Sequence, residues 1–174
     1  MNITTTDAGR IDAILSLHEA AFPEEDLRPL VRALMSLERG VLALGAFDGD
    51  ALIGHAIFTE CDVVRGDEAP EAGGFLLGPL AVAPDRQRRG IGGALVREGF
   101  ARLEAAKARR VFVLGDPAYY GRFGFTPERD VRTPYPIPEE WTDAWRSAPV
   151  GGRAAPAPGV LSLPSPWMEP RLWA

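Results

Sequence analysis

Hydrophobic and polar positions recur with two different spacings along this chain, and the two spacings predict different elements. Apolar residues return every three or four positions in segments that start near Ile11, Asp26 and Ile91, which is typical of helices with one buried face. Short apolar runs that alternate with polar positions occupy much of the remaining chain and predict strands. The pattern therefore predicts a fold of the mixed α/β (α+β) class.

The strand pattern is clearest in the middle of the chain. Two apolar runs, residues 41–47 and 51–59, are separated by Asp48-Gly49-Asp50, which is a strong hairpin signal. A third apolar run covers residues 75–82, so the three runs predict an antiparallel meander. A β-rich segment at residues 111–114 has the profile of a strand buried on both faces.

The composition changes after Pro127. Ten of the sixteen prolines and all four tryptophans lie between Pro127 and the end of the chain. We predict a short helix from about Pro117 and a strand from about Phe123. Alternation predicts two further strands in the C-terminal region, at residues 141–145 and 159–163.

The length, charge and composition of the chain limit the number of domains and the kinds of partner that we expect. The 174 residues are most simply one domain, residues 1–174, with a core over 1–127 and Pro- and Trp-rich C-terminal strands over 128–174. The net charge of −5 argues against a nucleic-acid partner. No apolar run approaches the roughly 20 residues of a membrane helix, so we expect no membrane partner. Cys61 is the only cysteine, so no cluster of thiolates can form and we expect no metal. The N-terminal residues lack the pattern of a secretory signal, which predicts a cytoplasmic protein.

A strand, a glycine-rich basic corner and a helix follow one another between Phe75 and Leu95. The segment Gln87 to Gly92 matches the pattern Gln/Arg-x-x-Gly-x-Gly/Ala. Glycines let the backbone approach a pyrophosphate closely, and a helix N-terminus contributes about half a positive charge. We therefore predict a phosphate or pyrophosphate site here, against the simpler interpretation of a solvated turn that starts a helix.

A dinucleotide-binding fold uses a similar corner and is the weaker alternative. Its fingerprint needs Gly-x-Gly-x-x-Gly and an acid about 20 residues further on. Leu95 occupies the place of the third glycine, and Asp116 is only loosely placed to be the acid. A nucleotide-binding module of this kind would bind NAD or ATP at the glycine-rich corner.

Two segments, Leu80 to Gly92 and Tyr120 to Phe125, resemble the motifs of the GNAT superfamily of acyl-CoA-dependent N-acyltransferases. The order of elements from Ile3 to Phe125 also fits, so the resemblance covers about 70% of the chain. The segment from Leu114 to Phe125 is similar to a bacterial branch of predicted acetyltransferases. The resemblance implies a single-domain GNAT-like fold, with a mixed, mostly antiparallel sheet whose central strands splay apart between flanking helices.

The resemblance also implies how acetyl-CoA would bind as cosubstrate. The pantetheine arm would pair with the strand backbone, in a gap that begins near Gly78-Pro79, and the pyrophosphate would take the amides of the corner. The cofactor-binding residues implied in this way are Leu80, Ala81, Val82, Gln87, Arg88, Arg89, Gly90, Ile91, Gly92 and Gly93.

The same resemblance makes Tyr120 the candidate general acid, because it lies at the family's position four residues before Gly124. A phenol with a pKa near 10 is protonated at neutral pH and can donate to a leaving thiolate. From the residues alone, Tyr119 and Tyr120 would be aromatic packing on a short helix.

The resemblance does not assign a general base on the predicted strand, because residues 75–82 contain no acid where GNAT enzymes often have a glutamate. Glu60, Asp62 and His55 are the candidates acting through water, although a histidine between two isoleucines is more often packed in a core. His18 lies on an apolar helix face and is predicted to be structural.

The predicted function is transfer of an acetyl group from acetyl-CoA to a primary amine by direct attack. The acceptor would be a small molecule or a peptide amine. A non-catalytic acyl-CoA-binding sensor or interaction module is the alternative that the missing glutamate keeps open. The Trp-rich tail could cover the acceptor cleft, form a homodimer interface or pack on the protein's own sheet.

Overall fold

The computed structural model describes residues 1–174 and contains nine strands and four α-helices. In chain order the elements are β1 (Asn2–Thr5), α1 (Ile11–Ala21), α2 (Arg28–Met35), β2 (Val41–Asp48), β3 (Ala51–Val64), β4 (Glu71–Val82), α3 (Ile91–Ala105), β5 (Arg110–Leu114), α4 (Pro117–Tyr120), β6 (Thr126–Pro127), β7 (Val131–Arg132), β8 (Trp145–Pro149) and β9 (Gly159–Ser162). Short 3₁₀ turns connect several of them. No helix combines the length and the apolar character needed to cross a membrane.

The chain forms two compact units. One unit contains Met1–Phe58 and Leu77–Ala101, and the other contains Thr59–Leu76 and Arg102–Ala174. The long strands β3 and β4 therefore each contribute residues to both units.

The first unit places β1 antiparallel to β2, with Asn2 opposite Phe47. The side chain of Asp7 accepts a hydrogen bond from Gly9 N and starts the turn that leads into α1, as an N-terminal cap should. The apolar stripes of α1 and α2 supply the buried residues Ile14, Leu17, Val31 and Leu34.

The second unit is built around β8, which pairs antiparallel with both β5 and β6. The C-terminal strand β9 pairs antiparallel with the last residues of β3, Asp62 to Val64, and parallel with β7. The rings of Phe112 and Trp145 stack with centroids 5.6 Å apart in the core of this unit.

The predicted class is confirmed, because helices flank a mixed, mostly antiparallel sheet. Several boundaries differ from the prediction, and one of them is the end of β3, which continues to Val64 beyond the predicted end at Thr59. The second helix begins at Arg28 and not near Asp26, because the Asp26 side chain accepts from Arg28 N and so lies outside the helix. The strand β4 begins earlier than predicted, at Glu71.

One predicted strand is shorter and later than expected, and another is replaced over most of its length by a 3₁₀ helix. The strand expected from Phe123 is only Thr126–Pro127, because a 3₁₀ turn occupies residues 121–123 and Gly124 follows it in the left-handed region, with φ 87°. Residues 139–144 form a 3₁₀ helix, in which Thr142 Oγ1 donates to Glu139 O. Trp141 is 37% exposed whereas Trp145 is buried, so the two tryptophans do not share one buried strand face.

Candidate active site

The C-terminal end of β4 and the turn after it form a tightly tied segment. Ala81 is buried, whereas Leu80 and Val82 are half-buried. After the strand, Ala83 N donates to Ile53 O at 2.9 Å. The Gln87 side chain turns back and donates through Nε2 to Val82 O at 3.3 Å. The residues that precede the glycine corner are therefore fixed to β3 and to each other.

The corner itself contains two left-handed residues, Arg88 with φ 60° and Gly90 with φ 81°. For a residue with a side chain this conformation costs roughly 1–2 kcal/mol, and such strain is concentrated at functional sites. An added Cβ at Gly90 would meet nothing within 4 Å, so this glycine serves the backbone turn and not close packing. Because the first N–H groups of a helix have no acceptor within the helix, the start of α3 presents N–H groups without an intrahelical partner.

The arginines of the corner differ in what they contact. Arg86 donates to Asp48 at 2.8 Å, and this hydrogen bond lowers the pKa of the Asp48 carboxyl. Asp48 ends β2, so the ion pair ties the corner to the hairpin. Arg88 and Arg89 are exposed. The sequence pattern places all three cations beside the anion site and carries no signal for the different role of Arg86.

Two close approaches fix α3 against β3. A Cβ added at Gly54 would lie 2.7 Å from Ile91 Cγ2, at the first residue of α3. A Cβ added at Gly99 would lie 3.0 Å from Phe58 Cε1 and closer still to two other atoms of that ring. Glycine at these two positions therefore lets the helix lie close to the strand.

Tyr120 ends the short helix α4 in the second unit. The helix begins with Pro117, and Asp116 Oδ1 accepts from Ala118 N at 2.9 Å. The Tyr120 ring lies edge-on to Tyr119 and Phe125, with centroids 5.0 Å and 5.6 Å away. Burial raises the pKa of the Tyr120 phenol above its usual value, so the group stays protonated at neutral pH.

Among the candidate bases, His55 has no access to a substrate. It is 0% exposed, and both ring nitrogens are occupied, Nε2 by Thr6 Oγ1 at 2.9 Å and Nδ1 by His18 Nε2 at 3.0 Å. Burial, and then the neighbouring His18, lowers the pKa of His55 to about 3. Glu60 is exposed and Asp62 is half-buried, so these two carboxylates remain candidates.

The hydrogen bond between the histidines was not predicted, since nothing in the sequence links two residues on separate apolar faces. His18 is structural, as predicted, and is 1% exposed. Cys61 is buried, and burial raises the pKa of its thiol, so it is not a reactive thiolate.

Comparison with known proteins identifies the family. The model of the acetyltransferase (GNAT) domain matches residues 2–127. The uncharacterized N-acetyltransferase YjhQ of Escherichia coli K12 is 36% identical over 146 residues, which are 80% of this chain and 79% of YjhQ. The chain belongs to the GNAT acetyltransferase family. A second relative, the uncharacterized N-acetyltransferase YhbS of the same strain, is 35% identical over 75% of each chain.

Solved GNAT structures share the fold over nearly the whole chain. A GNAT acetyltransferase from Brucella melitensis, in complex with acetyl-CoA, has a TM-score of 0.75 and 28% identity, covering 95% of this chain and 96% of its own. YhbS from Escherichia coli, in complex with CoA, has a TM-score of 0.81 and 26% identity, covering 97% and 92%. The GNAT fold thus extends beyond residues 2–127 into the C-terminal strands. No group of three or more His, Cys, Asp or Glu side chains could hold a metal ion.

Proposed function

We propose that this protein is an N-acetyltransferase that moves an acetyl group from acetyl-CoA to a primary amine by direct attack. The observation that carries the proposal is the corner before α3. There Arg88 and Gly90 adopt left-handed conformations ahead of the first N–H groups of a helix, in a chain of the GNAT family. Alternating backbone conformations of this kind form concave anion sites in other proteins.

Acetyl-CoA is the cosubstrate that this corner fits best. The pyrophosphate would bind the amides of Arg88 to Gly93, and the exposed side chains of Arg88 and Arg89 would add charge. The pantetheine arm would pair with the backbone of Leu80 to Val82. The complexes of the Brucella melitensis enzyme with acetyl-CoA and of YhbS with CoA support this choice.

The proposed reaction needs one acid and one base. The amine nitrogen attacks the thioester carbon, the new C–N bond forms, and the C–S bond breaks. Tyr120 donates its phenolic proton to the leaving thiolate, which departs as CoA, and regains a proton from solvent. The proton that the amine loses passes through water to Glu60 or Asp62. Because burial raises the pKa of Tyr120, the phenol is in its donating form at neutral pH.

A non-catalytic acyl-CoA-binding module is the second candidate. One specific observation favours it, namely that residues 75–82 of β4 carry no acid. Such a module would bind acetyl-CoA and release no thiol with any amine.

The first experiment measures binding by thermal melting with acetyl-CoA, CoA, NAD and ATP. A ligand at about 100 times its dissociation constant adds about 2.7 kcal/mol, so we expect acetyl-CoA and CoA to raise the melting temperature by several degrees. The variant Gly92→Glu should lose that shift, because a carboxylate would repel the pyrophosphate. A shift with NAD alone would overturn the acetyl-CoA assignment.

The second experiment measures thiol release from acetyl-CoA with a panel of polyamines, amino acid amides and peptide N-termini. Amine-dependent release is expected, and Tyr120→Phe should lower kcat about 100-fold while acetyl-CoA binding is retained. The matched control Tyr119→Phe should keep the parent kcat. Full activity in Tyr120→Phe would contradict the acid assignment, and binding without release across the panel would favour the non-catalytic module.

A further inference from the structure

We infer that Gly115 is a positioning residue for Tyr120, because the missing side chain at position 115 leaves the space that the phenol ring occupies. The inference rests on the proposed role of Tyr120 as general acid. It concerns a residue that lies outside the proposed cofactor and acid positions and touches the reaction only through the tyrosine.

The space in question is small and already filled. A Cβ added at Gly115 would lie 2.9 Å from Tyr120 Cδ2 and closer still to Cε2. Carbon atoms that are not bonded attract at separations of about 3.5–4.0 Å, so an alanine here would overlap with the ring. The ring and a side chain at position 115 therefore exclude each other.

The backbone conformation of Gly115 does not itself require glycine. Gly115 is absent from the glycines with positive φ, unlike Gly124, which has φ 87° and open space around its missing Cβ. Glycine at position 124 thus serves the turn, whereas glycine at position 115 serves the contact with the ring. This difference separates a functional constraint at Gly115 from an ordinary turn requirement.

The backbone at Gly115 cannot easily move away from the ring. It follows directly after β5, and Gly115 N donates to Ala144 O at 3.0 Å. On the tyrosine side, Tyr120 N donates to Asp116 O at 3.0 Å, and the Phe125 ring stands edge-on to the phenol. A side chain at position 115 would therefore displace the ring, and its hydroxyl with it.

Displacement of the hydroxyl would affect catalysis more than folding. A general acid must stand within hydrogen-bond reach of the atom that it protonates, and an error of about 1 Å can cost about 100-fold in rate. The Tyr120 ring is half-buried, so part of it already faces solvent and a displaced ring has room on that side. A ring that swings outward also loses the burial that raises the pKa of its phenol.

The test compares Gly115→Ala with Gly121→Ala, which places the same methyl group at the next glycine along the chain. Gly121 has φ −56° and nothing within 4 Å of an added Cβ, so its alanine variant should keep the parent kcat. We expect Gly115→Ala to lower kcat for amine-dependent thiol release by 10- to 100-fold, with the Kd for acetyl-CoA unchanged within twofold. Alkaline absorbance titration should show the pKa of one tyrosine lowered toward its ordinary value.

A double-mutant cycle with Tyr120→Phe distinguishes positioning from a general structural role. If Gly115 acts through the hydroxyl, Gly115→Ala causes no further loss of kcat in the Tyr120→Phe background. An equal loss in both backgrounds, or a parent kcat in Gly115→Ala, would overturn the inference. Full activity of Tyr120→Phe alone would instead contradict the proposed acid, so the two failures are distinguishable.

A folding control covers the case in which Gly115→Ala does not fold. The double variant Gly115→Ala/Tyr120→Ala removes the ring that competes for the space. Recovery of a cooperative melting transition in the double variant would support the claim that the Tyr120 ring and a side chain at position 115 cannot occupy the same space. A double variant that remains unfolded would overturn it.

Discussion

At the scale of single residues, the two buried histidines make the stability of the protein depend on pH. Burial lowers the pKa of His18 to about 4, and the pKa of His55 is lower still. The unfolded chain takes up protons near pH 6.5 while the folded chain does not, so stability is fully present above pH 6.5 and falls as the pH falls toward 4. We expect urea denaturation to give a free energy of unfolding about 2–4 kcal/mol lower at pH 5 than at pH 7.

The hydrogen bonds of the pair explain why a proton is poorly tolerated. His18 Nδ1 is buried and has no partner, so protonation there would place a charged, unpaired N–H group in the core. The control is the double variant His18→Leu/His55→Leu. Its free energies of unfolding at pH 7 and at pH 5 should differ much less than those of the parent protein. If the free energy of unfolding of that variant depends on pH as strongly as in the parent, titratable groups other than the two histidines cause the dependence.

At the scale of secondary structure elements, the position of α3 depends on Gly99. Alanine at position 99 would gain up to about 1 kcal/mol of helix propensity. Its Cβ would overlap with the ring of Phe58, which is 0% exposed and has no free space to enter, and such overpacking costs about 1–3 kcal/mol. We therefore expect Gly99→Ala to lower the free energy of unfolding by about 1–2 kcal/mol, measured by chemical denaturation.

The companion variant Phe58→Leu/Gly99→Ala tests the reason for that loss. Phe58→Leu alone leaves a cavity and should destabilise the first unit. The methyl group at position 99 would fill part of it, so the loss in the double variant should be smaller than the sum of the two single losses. Additive losses, or a Gly99→Ala variant more stable than the parent, would show that close approach is not what glycine provides here.

At the scale of the whole molecule, the features that could be predicted from the sequence are those that depend on residues close together in the chain. The hairpin at Asp48-Gly49-Asp50 and the helix that starts at Ile91 follow from local turn and helix patterns, and motif spacing was enough to locate the glycine corner and Tyr120 as candidates. The ion pair between Asp48 and Arg86 joins residues 38 positions apart, so no local pattern could indicate it.

The C-terminal region shows the same limit in its secondary structure. Trp141 and Trp145 are spaced as if they shared one strand face, yet only Trp145 is buried in the strand. The hydrogen-bond partner of the buried Trp145 is 14 positions away in the sequence, so a local pattern does not indicate it. Trp145 Nε1 donates to Val131 O at 2.8 Å, whereas Trp141 lies in the 3₁₀ helix over residues 139–144.

These contacts predict that the end of the chain is part of the core of the second unit. Trp173 is 1% exposed, its Nε1 donates to Trp167 O at 3.0 Å, and its ring stands 6.0 Å from that of Trp145. Trp173→Ala should therefore lower the free energy of unfolding by about 3–5 kcal/mol, as for other buried aromatic truncations. The matched control Trp141→Ala removes an exposed ring and should cost less than about 1 kcal/mol.

Chemical denaturation of both tryptophan variants decides between two roles for the C-terminal region. A large loss confined to Trp173→Ala would mean that residues beyond the matched GNAT domain, 2–127, stabilise the fold and are not an appendage. Equal small losses would mean that the region packs weakly. Because the Trp173 ring also contacts Trp167, whose Nε1 donates to Thr59 Oγ1 at 3.2 Å, a large loss should be accompanied by faster amide exchange along the end of β3.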